Sequence, residues 1–502
     1  MTNPTFDKLE EALREITDLQ AAAALLEWDQ QTYMPPGGAP ARARQLATLE
    51  KTAHSRLVSD DIGKLLDDLK DLEAAGPYDA YPVALIRLTR RRYDRARKIP
   101  PDFAAELTAH NAATYHAWTK ARPANDFATI QPYLERNVEL SRQWANYIGD
   151  YERIADPLIE AADFGMTTSR VETLFAELRQ QLVPLVQAIA ERPPVDTACL
   201  HQHFPADKQR AFGEHVVKHF GYDFTRGRQD KTHHPFMIGF SINDVRITTR
   251  FKEDDLSEAL FSTMHEAGHA LYELGIDPAC EGTLLAHGAS SAVHESQSRL
   301  WENLVGRSRP FWNHFYGQLQ QTFPDQLATV DLDTFYHAIN AVAPSLIRTD
   351  ADEVTYNLHV MIRFQLGLDL LEGRLAVADL PDAWRAAYQR DLGITPPDDK
   401  DGVLQDVHWF SYLIGGNFQC YTLGNIMNAQ FFAAALRAHP DIPTDIEKGR
   451  FDTLRTWLQQ NIHRHGSTFT ADELIQQTTN QPLSVTPYIQ YLHNKYTKLY
   501  DL

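Results

Sequence analysis

The sequence predicts a mainly helical fold with one small sheet, on three observations. Most of the chain carries apolar residues at three- and four-residue spacing, the period of an amphipathic helix. Residues 236–251 instead alternate apolar with polar side chains and are rich in β-branched types, the pattern of strands. No internal repeat, low-complexity linker or composition break divides the chain. Residues 1–502 therefore read as one domain, although length alone suggests about three.

The elements follow in order. Leu9, Leu13, Ile16, Leu19, Ala23 and Leu26 mark a helix over residues 6–26. Residues 26–38 end in Pro35, Pro36, Gly37 and Gly38 and read as a sharp loop. Further helices are expected over 41–53, 60–74, 103–121, 130–151 and 171–190. The Arg-rich run 87–98 reads as a solvated helix face, broken by Pro100 and Pro101. Just after the expected strands, Leu256, Leu260, Met264, Leu271 and Leu274 line one helix, with Gly275 as its stop. Helical patterns recur over 325–341, 354–371, 382–391, 421–438, 444–463, 471–477 and 486–500. A Pro- and Asp-rich loop lies at 394–402.

Composition narrows the function. The chain has 48 basic and 67 acidic residues and a formal charge of −19, which argues against nucleic acid or an anionic membrane as partner. Three widely spaced cysteines without a Cys-x-x-Cys pair exclude a disulfide framework and fit a reducing, cytoplasmic setting. Residues 1–11 are polar and acidic, so no signal peptide is expected. No apolar run approaches the ~20 residues that span a bilayer.

The chemistry concentrates at His265-Glu266-Ala267-Gly268-His269. Residues i and i+4 share one helix face, so His265 and His269 can present two imidazoles to one metal ion. Glu266 sits beside them as a candidate general base. A catalytic zinc takes three protein ligands and keeps one position open. The run His294-Glu295-Ser296-Gln297 follows on a second helical pattern, and Glu295 is the expected third ligand. His294 is the rival, about 100° around the same helix. The strands upstream offer an edge for an extended peptide, with residues 244–249 expected to align it.

Three later runs are polar where a helical core would be apolar. Arg348, followed by Asp350 and Asp352, either grips a carboxylate or pairs internally with one of those aspartates. His408 and Tyr421 are candidate donors to an oxyanion, or core residues with polar tips.

Together the motifs resemble the carboxypeptidase Taq family of zinc metallocarboxypeptidases. They run in order over nearly the whole chain: His234-Pro235-Phe236, Asp244-Val245-Arg246-Ile247-Thr248, His265-Glu266-Ala267-Gly268-His269, His294-Glu295-Ser296-Gln297, Ile347-Arg348-Thr349-Asp350-Ala351-Asp352, and Gly402 to Trp409 with Gln405, Asp406 and His408. Trp28-Asp29-Gln30 and Met34-Pro35 also match, whereas Asp163-Phe164-Gly165-Met166 only approximates the family's pattern. The resemblance implies a helical clamshell with a deep central cleft and a small sheet beside the metal, like neurolysin and angiotensin-converting enzyme. It implies Zn2+ on His265, His269 and Glu295, with Co2+ or Mn2+ as substitutes, and Glu266 as base. It implies that Arg348 binds the substrate's terminal carboxylate, with His234 and Arg246 also contacting substrate and His408 and Tyr421 stabilising the transition state. The expected reaction is release of single amino acids from peptide C-termini with broad specificity, by a cytoplasmic homodimer. A zinc oligopeptidase or endopeptidase is the alternative. In related sites an acidic residue four positions after the glutamate ligand orients a histidine; here that position is Arg299.

Overall fold

The computed structural model describes residues 3–502; Met1 and Thr2, at the head of the stretch read as free of a signal peptide, lie outside them. The expectation of a mainly helical chain with one small sheet holds. The chain gathers into two compact units. One combines the chain up to Arg97 with Asp196–Ile339 and Phe431–Pro482. The other combines Lys98–Val195, Asn340–Gln430 and Leu483–Leu502. Among the described residues, no helix is long and apolar enough to cross a membrane.

In the first unit, helix Pro4–Thr32 begins at Asn3, whose side chain accepts from the Thr5 and Phe6 amides. Phe6, Leu9, Leu13 and Ile16 form its buried stripe. The helix runs on through residues 26–32, which the sequence reading assigned to a loop. Trp28 extends the buried stripe by one turn, so burial outweighs the approaching prolines until Tyr33. The Arg-rich segment also differs from expectation. Helix Tyr81–Lys98 buries Val83, Leu85, Ile86, Leu88 and Tyr93, and its arginines are tied down rather than solvated. Arg87 donates to the Tyr78 and Thr468 carbonyls, and Arg90 pairs with Glu73 at 2.8 Å.

The sheet has the order β1–β3–β2, where β1 is Gln229–Lys231, β2 is Met237–Ser241 and β3 is Asp244–Thr249. Ile247 sits opposite Gln229 in the parallel pair and opposite Met237 in the antiparallel pair. β1 escaped the sequence reading because its three residues show no alternation. Its presence corrects one expectation. β3 is central and pairs on both sides, so it has no open edge for a peptide; β2 lies on the outside. The Gln229 side chain donates to Thr249 Oγ1 at 2.6 Å and Thr263 Oγ1 at 3.0 Å, which ties the sheet to the Leu256–Leu274 helix.

The second unit is helical. Its helix Tyr356–Leu371 is buried on nearly every face. The turn before it is held by Asp352, which accepts from the Val354 and Thr355 amides and the Thr355 hydroxyl. The C-terminal helix Thr486–Tyr500 is pinned by a buried ion pair, Lys495 to Glu353 at 2.6 Å, with the Tyr496 hydroxyl donating to the same carboxylate at 2.8 Å.

Candidate active site

Helix Leu256–Leu274 starts at Asp255, which caps the Ser257 and Glu258 amides. It carries His265 and His269 on one face. Helix Ser291–Arg299 packs against it at very short range. Gly268 makes this approach possible. A Cβ there would lie 2.6 Å from the Ser298 Cα and 2.7 Å from the Gln297 carbonyl oxygen. Glu295 is thereby brought to the two histidines. Its Oε2 lies 3.7 Å from His265 Nε2 and 3.6 Å from His269 Nε2. The three ligand atoms all fall within 4.8 Å of one another. A tetrahedral ion with bonds of ~2.0–2.2 Å holds its ligands about 3.4 Å apart, close to the two Glu295–histidine distances, so the three groups could hold a metal ion.

The outer partners explain how each imidazole is held. His265 Nδ1 donates to Glu302 Oε2 at 2.9 Å, which leaves Nε2 as its lone pair toward the cluster. Glu302 lies seven residues after Glu295, two turns along the same face. It sits in the wider π-turn Leu300–Val305 that continues the helix. Arg299 fills the role of bridge, not acceptor. It donates to Glu295 Oε1 at 2.8 Å and Glu302 Oε2 at 3.1 Å. His294 proves not to be a rival ligand. Its Nδ1 meets His269 Nδ1 at 2.6 Å, and its Nε2 meets Glu273 Oε1 at 2.9 Å.

Electrostatics follow from this packing. Burial pushes the Glu266 carboxyl up to about 7. Burial drives His269 down to about 3, so it stays neutral. Burial also pulls on His265, but the Glu295 and Glu302 carboxylates outweigh it and leave that imidazole raised. Burial alone would raise Glu295; Arg299 and the histidines hold it well below the usual carboxylate range instead.

The second unit holds a second cluster. Arg348 is 8% exposed and opens the turn Arg348–Asp350. Neither Asp350 nor Asp352 takes its guanidinium. Nε donates to Asp406 Oδ2 at 2.8 Å and Nη1 to the Tyr356 hydroxyl at 3.0 Å. The other oxygen of Asp406 receives His408 Nδ1 and, at 3.1 Å, the His408 amide. His408 stacks on Tyr412 with ring centroids 5.6 Å apart. The Arg348 guanidinium also lies 5.5 Å from the Tyr421 ring. Arg348 and His408 thus share the Asp406 carboxylate, and Tyr421, 73 positions after Arg348, lies against that arginine. Asp406 was quoted in the sequence motif without a role; its spacing of two from His408 was the available signal.

His234 and Arg246 lie on the sheet side of the first unit. His234 is exposed, between β1 and β2. Arg246 projects from β3, forms a two-point pair with Asp244 at 2.8 Å for each contact, and lies 4.4 Å from the Trp28 ring. The early Trp28 motif therefore packs on the sheet.

Comparison with known proteins points the same way. The family model for carboxypeptidase Taq (M32) metallopeptidases matches residues 8–496. Thermostable carboxypeptidase 1 of Thermus thermophilus is 40% identical over 507 residues, covering 99% of each chain. Carboxypeptidase 1 of Bacillus subtilis is 37% identical over 494 residues, covering 98% of this chain and 97% of that one. The crystal structure of the M32 carboxypeptidase from Deinococcus radiodurans matches with a TM-score of 0.97 at 48% identity, covering 100% of both chains. A family match that takes in both units, the His265–His269–Glu295 triad and the Arg348–Asp406 cluster places this chain in the carboxypeptidase Taq (M32) metallopeptidase family.

Proposed function

We propose that this protein is a zinc-dependent metallocarboxypeptidase that releases single amino acids from peptide C-termini with broad specificity. The observation that carries the reading is the pre-set triad of His265, His269 and Glu295, with each imidazole's Nδ1 already taken by an outer partner. His265, His269 and Glu295 would hold a divalent cation, which would acidify a water molecule and polarise the scissile carbonyl. Zinc suits the two-nitrogen, one-carboxylate set; Co2+ and Mn2+ are the expected substitutes.

The protein's own groups do the rest. Glu266, buried and held up to about 7, takes the proton from the attacking water and returns it to the leaving amine. His408 and Tyr421 donate to the developing oxyanion, each worth ~2.7–4 kcal/mol. Arg348 receives the terminal carboxylate and so sets the cut one residue from the end. His234 and Arg246 line the substrate's path beside the metal helix. Residues 1–502 are one catalytic domain in this reading, as one family model spanning 8–496 supports. A cytoplasmic homodimer completes the reading. The three free, buried cysteines, Cys199, Cys280 and Cys420, suit such a reducing setting.

N-blocked peptides with free or amidated C-termini, with and without chelator, test this by mass spectrometry. Stepwise loss of one terminal residue, stopped by chelator and by amidation, is the expected result. Internal cleavage indifferent to amidation would establish an oligopeptidase instead.

A further inference from the structure

The Arg348 cluster contains a second arginine that the reaction above does not use. Arg363, on the Tyr356–Leu371 helix, is 5% exposed. Its guanidinium lies between two rings, 4.0 Å from Trp409 and 4.3 Å from Phe418. Its Nε and Nη1 are buried and make no hydrogen bond. The nearest counter-charge is Asp406 Oδ2, 3.9 Å from Nη1. That is the same oxygen that accepts from Arg348 Nε at 2.8 Å.

Two buried guanidiniums therefore share one carboxylate. The cluster carries a surplus positive charge even with His408 neutral. A buried charge without a matched partner is costly, and protein interiors seldom keep one unless it serves a purpose. The rings on either side repay only part of that cost, since a cation over an aromatic face is a weak interaction beside a matched ion pair. Burial also pulls the Arg363 guanidinium down to about 9. Arg348, meanwhile, has Nη2 left over: among the described residues only its Nε and Nη1 make side-chain hydrogen bonds.

We infer that Arg363 is a positioning residue that keeps Asp406 from neutralising Arg348, so that the pair holds a net positive charge for a substrate carboxylate. Arg363 does not touch the ligand. It draws on the charge of Asp406 from behind while the two rings fix its plane. Asp406 can then orient Arg348 and His408 without cancelling the charge on Arg348. The incoming carboxylate is the missing anion of the cluster. This inference rests on the assignment of Arg348 as the carboxylate receptor.

The test compares N-acetyl-leucine with N-acetyl-leucinamide as probes, by calorimetry on the metal-loaded full chain. The readout is the ratio of the two affinities. Arg363→Met should reduce the preference for the free carboxylate about 10- to 100-fold, the scale of one charge at a few ångströms in a partly screened interior. Arg363→Lys, which keeps the charge, should retain most of the preference. The ligand-free thermal midpoint of Arg363→Met should stay level or rise, because a strained buried charge has been removed. An unchanged affinity ratio in Arg363→Met overturns the inference, whatever happens to the midpoint. So does a uniform loss of both ligands, which marks a structural prop. Arg348→Met is the control. If that variant keeps the full carboxylate preference, the receptor assignment itself fails.

Discussion

Nδ1 of His269 lies 2.6 Å from Nδ1 of His294. Two protonated nitrogens cannot share that distance, so one of the pair is a lone pair. Glu273 settles which. Its carboxylate only accepts, so His294 Nε2 carries a proton toward it and His294 Nδ1 is the bare nitrogen. His269 Nδ1 then donates, and His269 Nε2 faces Glu295 unprotonated, the form a metal would require. Acting through His294 alone, the Glu273 carboxylate thus dictates the tautomer of His269.

His294→Ala should therefore lower metal affinity about 10- to 100-fold while leaving helix content unchanged. Glu302→Gln should weaken binding in the same direction through His265. Competition against a chromophoric chelator measures both. Unaltered affinity in both variants would refute the tautomer argument.

Gly268 tests whether the triad depends on helix contact. A side chain there meets main-chain atoms of Gln297 and Ser298, which cannot rotate aside. Gly268→Val should cost about 1–3 kcal/mol or more by overpacking, and should reduce zinc stoichiometry as Glu295 is pushed away. Even Gly268→Ala should destabilise, although alanine is favoured in an exposed helix by roughly 1 kcal/mol. Urea unfolding and metal analysis on the same samples separate the two effects.

Glu266→Gln removes a proton acceptor and no ligand atom. The metal should bind as in the parent, and turnover should fall at least ~10²–10⁴-fold. Metal content with single-turnover rates decides. Loss of metal would instead show that Glu266 helps build the site.

The Lys495–Glu353 pair anchors the last helix beside the turn that carries Arg348. Lys495→Met strands a buried carboxylate, and breaking such a pair costs about 3–5 kcal/mol. The double variant Lys495→Met with Glu353→Gln should recover much of that stability, because no unpaired charge remains. Denaturation midpoints of the single and double variants check this.

Much of the chemistry was legible in the chain itself. The four-residue spacing of His265 and His269 follows from helix geometry, so local sequence was enough to pair them. Glu295 was accessible because two helical patterns joined by a glycine-containing loop can pack antiparallel and bring it to the histidines. The same local reasoning placed most helices, and went astray where burial overrode local signals. Residues 26–32 stayed helical because Trp28 is buried, and β1 formed because β3 offered an edge to pair with. Only the tertiary structure could decide the outer partners. Glu273 and Glu302 reach their histidines through a second helix and a π-turn whose extra width no periodicity announces. Asp406, rather than the neighbouring Asp350 or Asp352, pairs with Arg348 because folding joins segments 58 residues apart. Spacing along the chain determines which groups share a helix face; which face meets which, and which charge lacks a partner, is decided by packing.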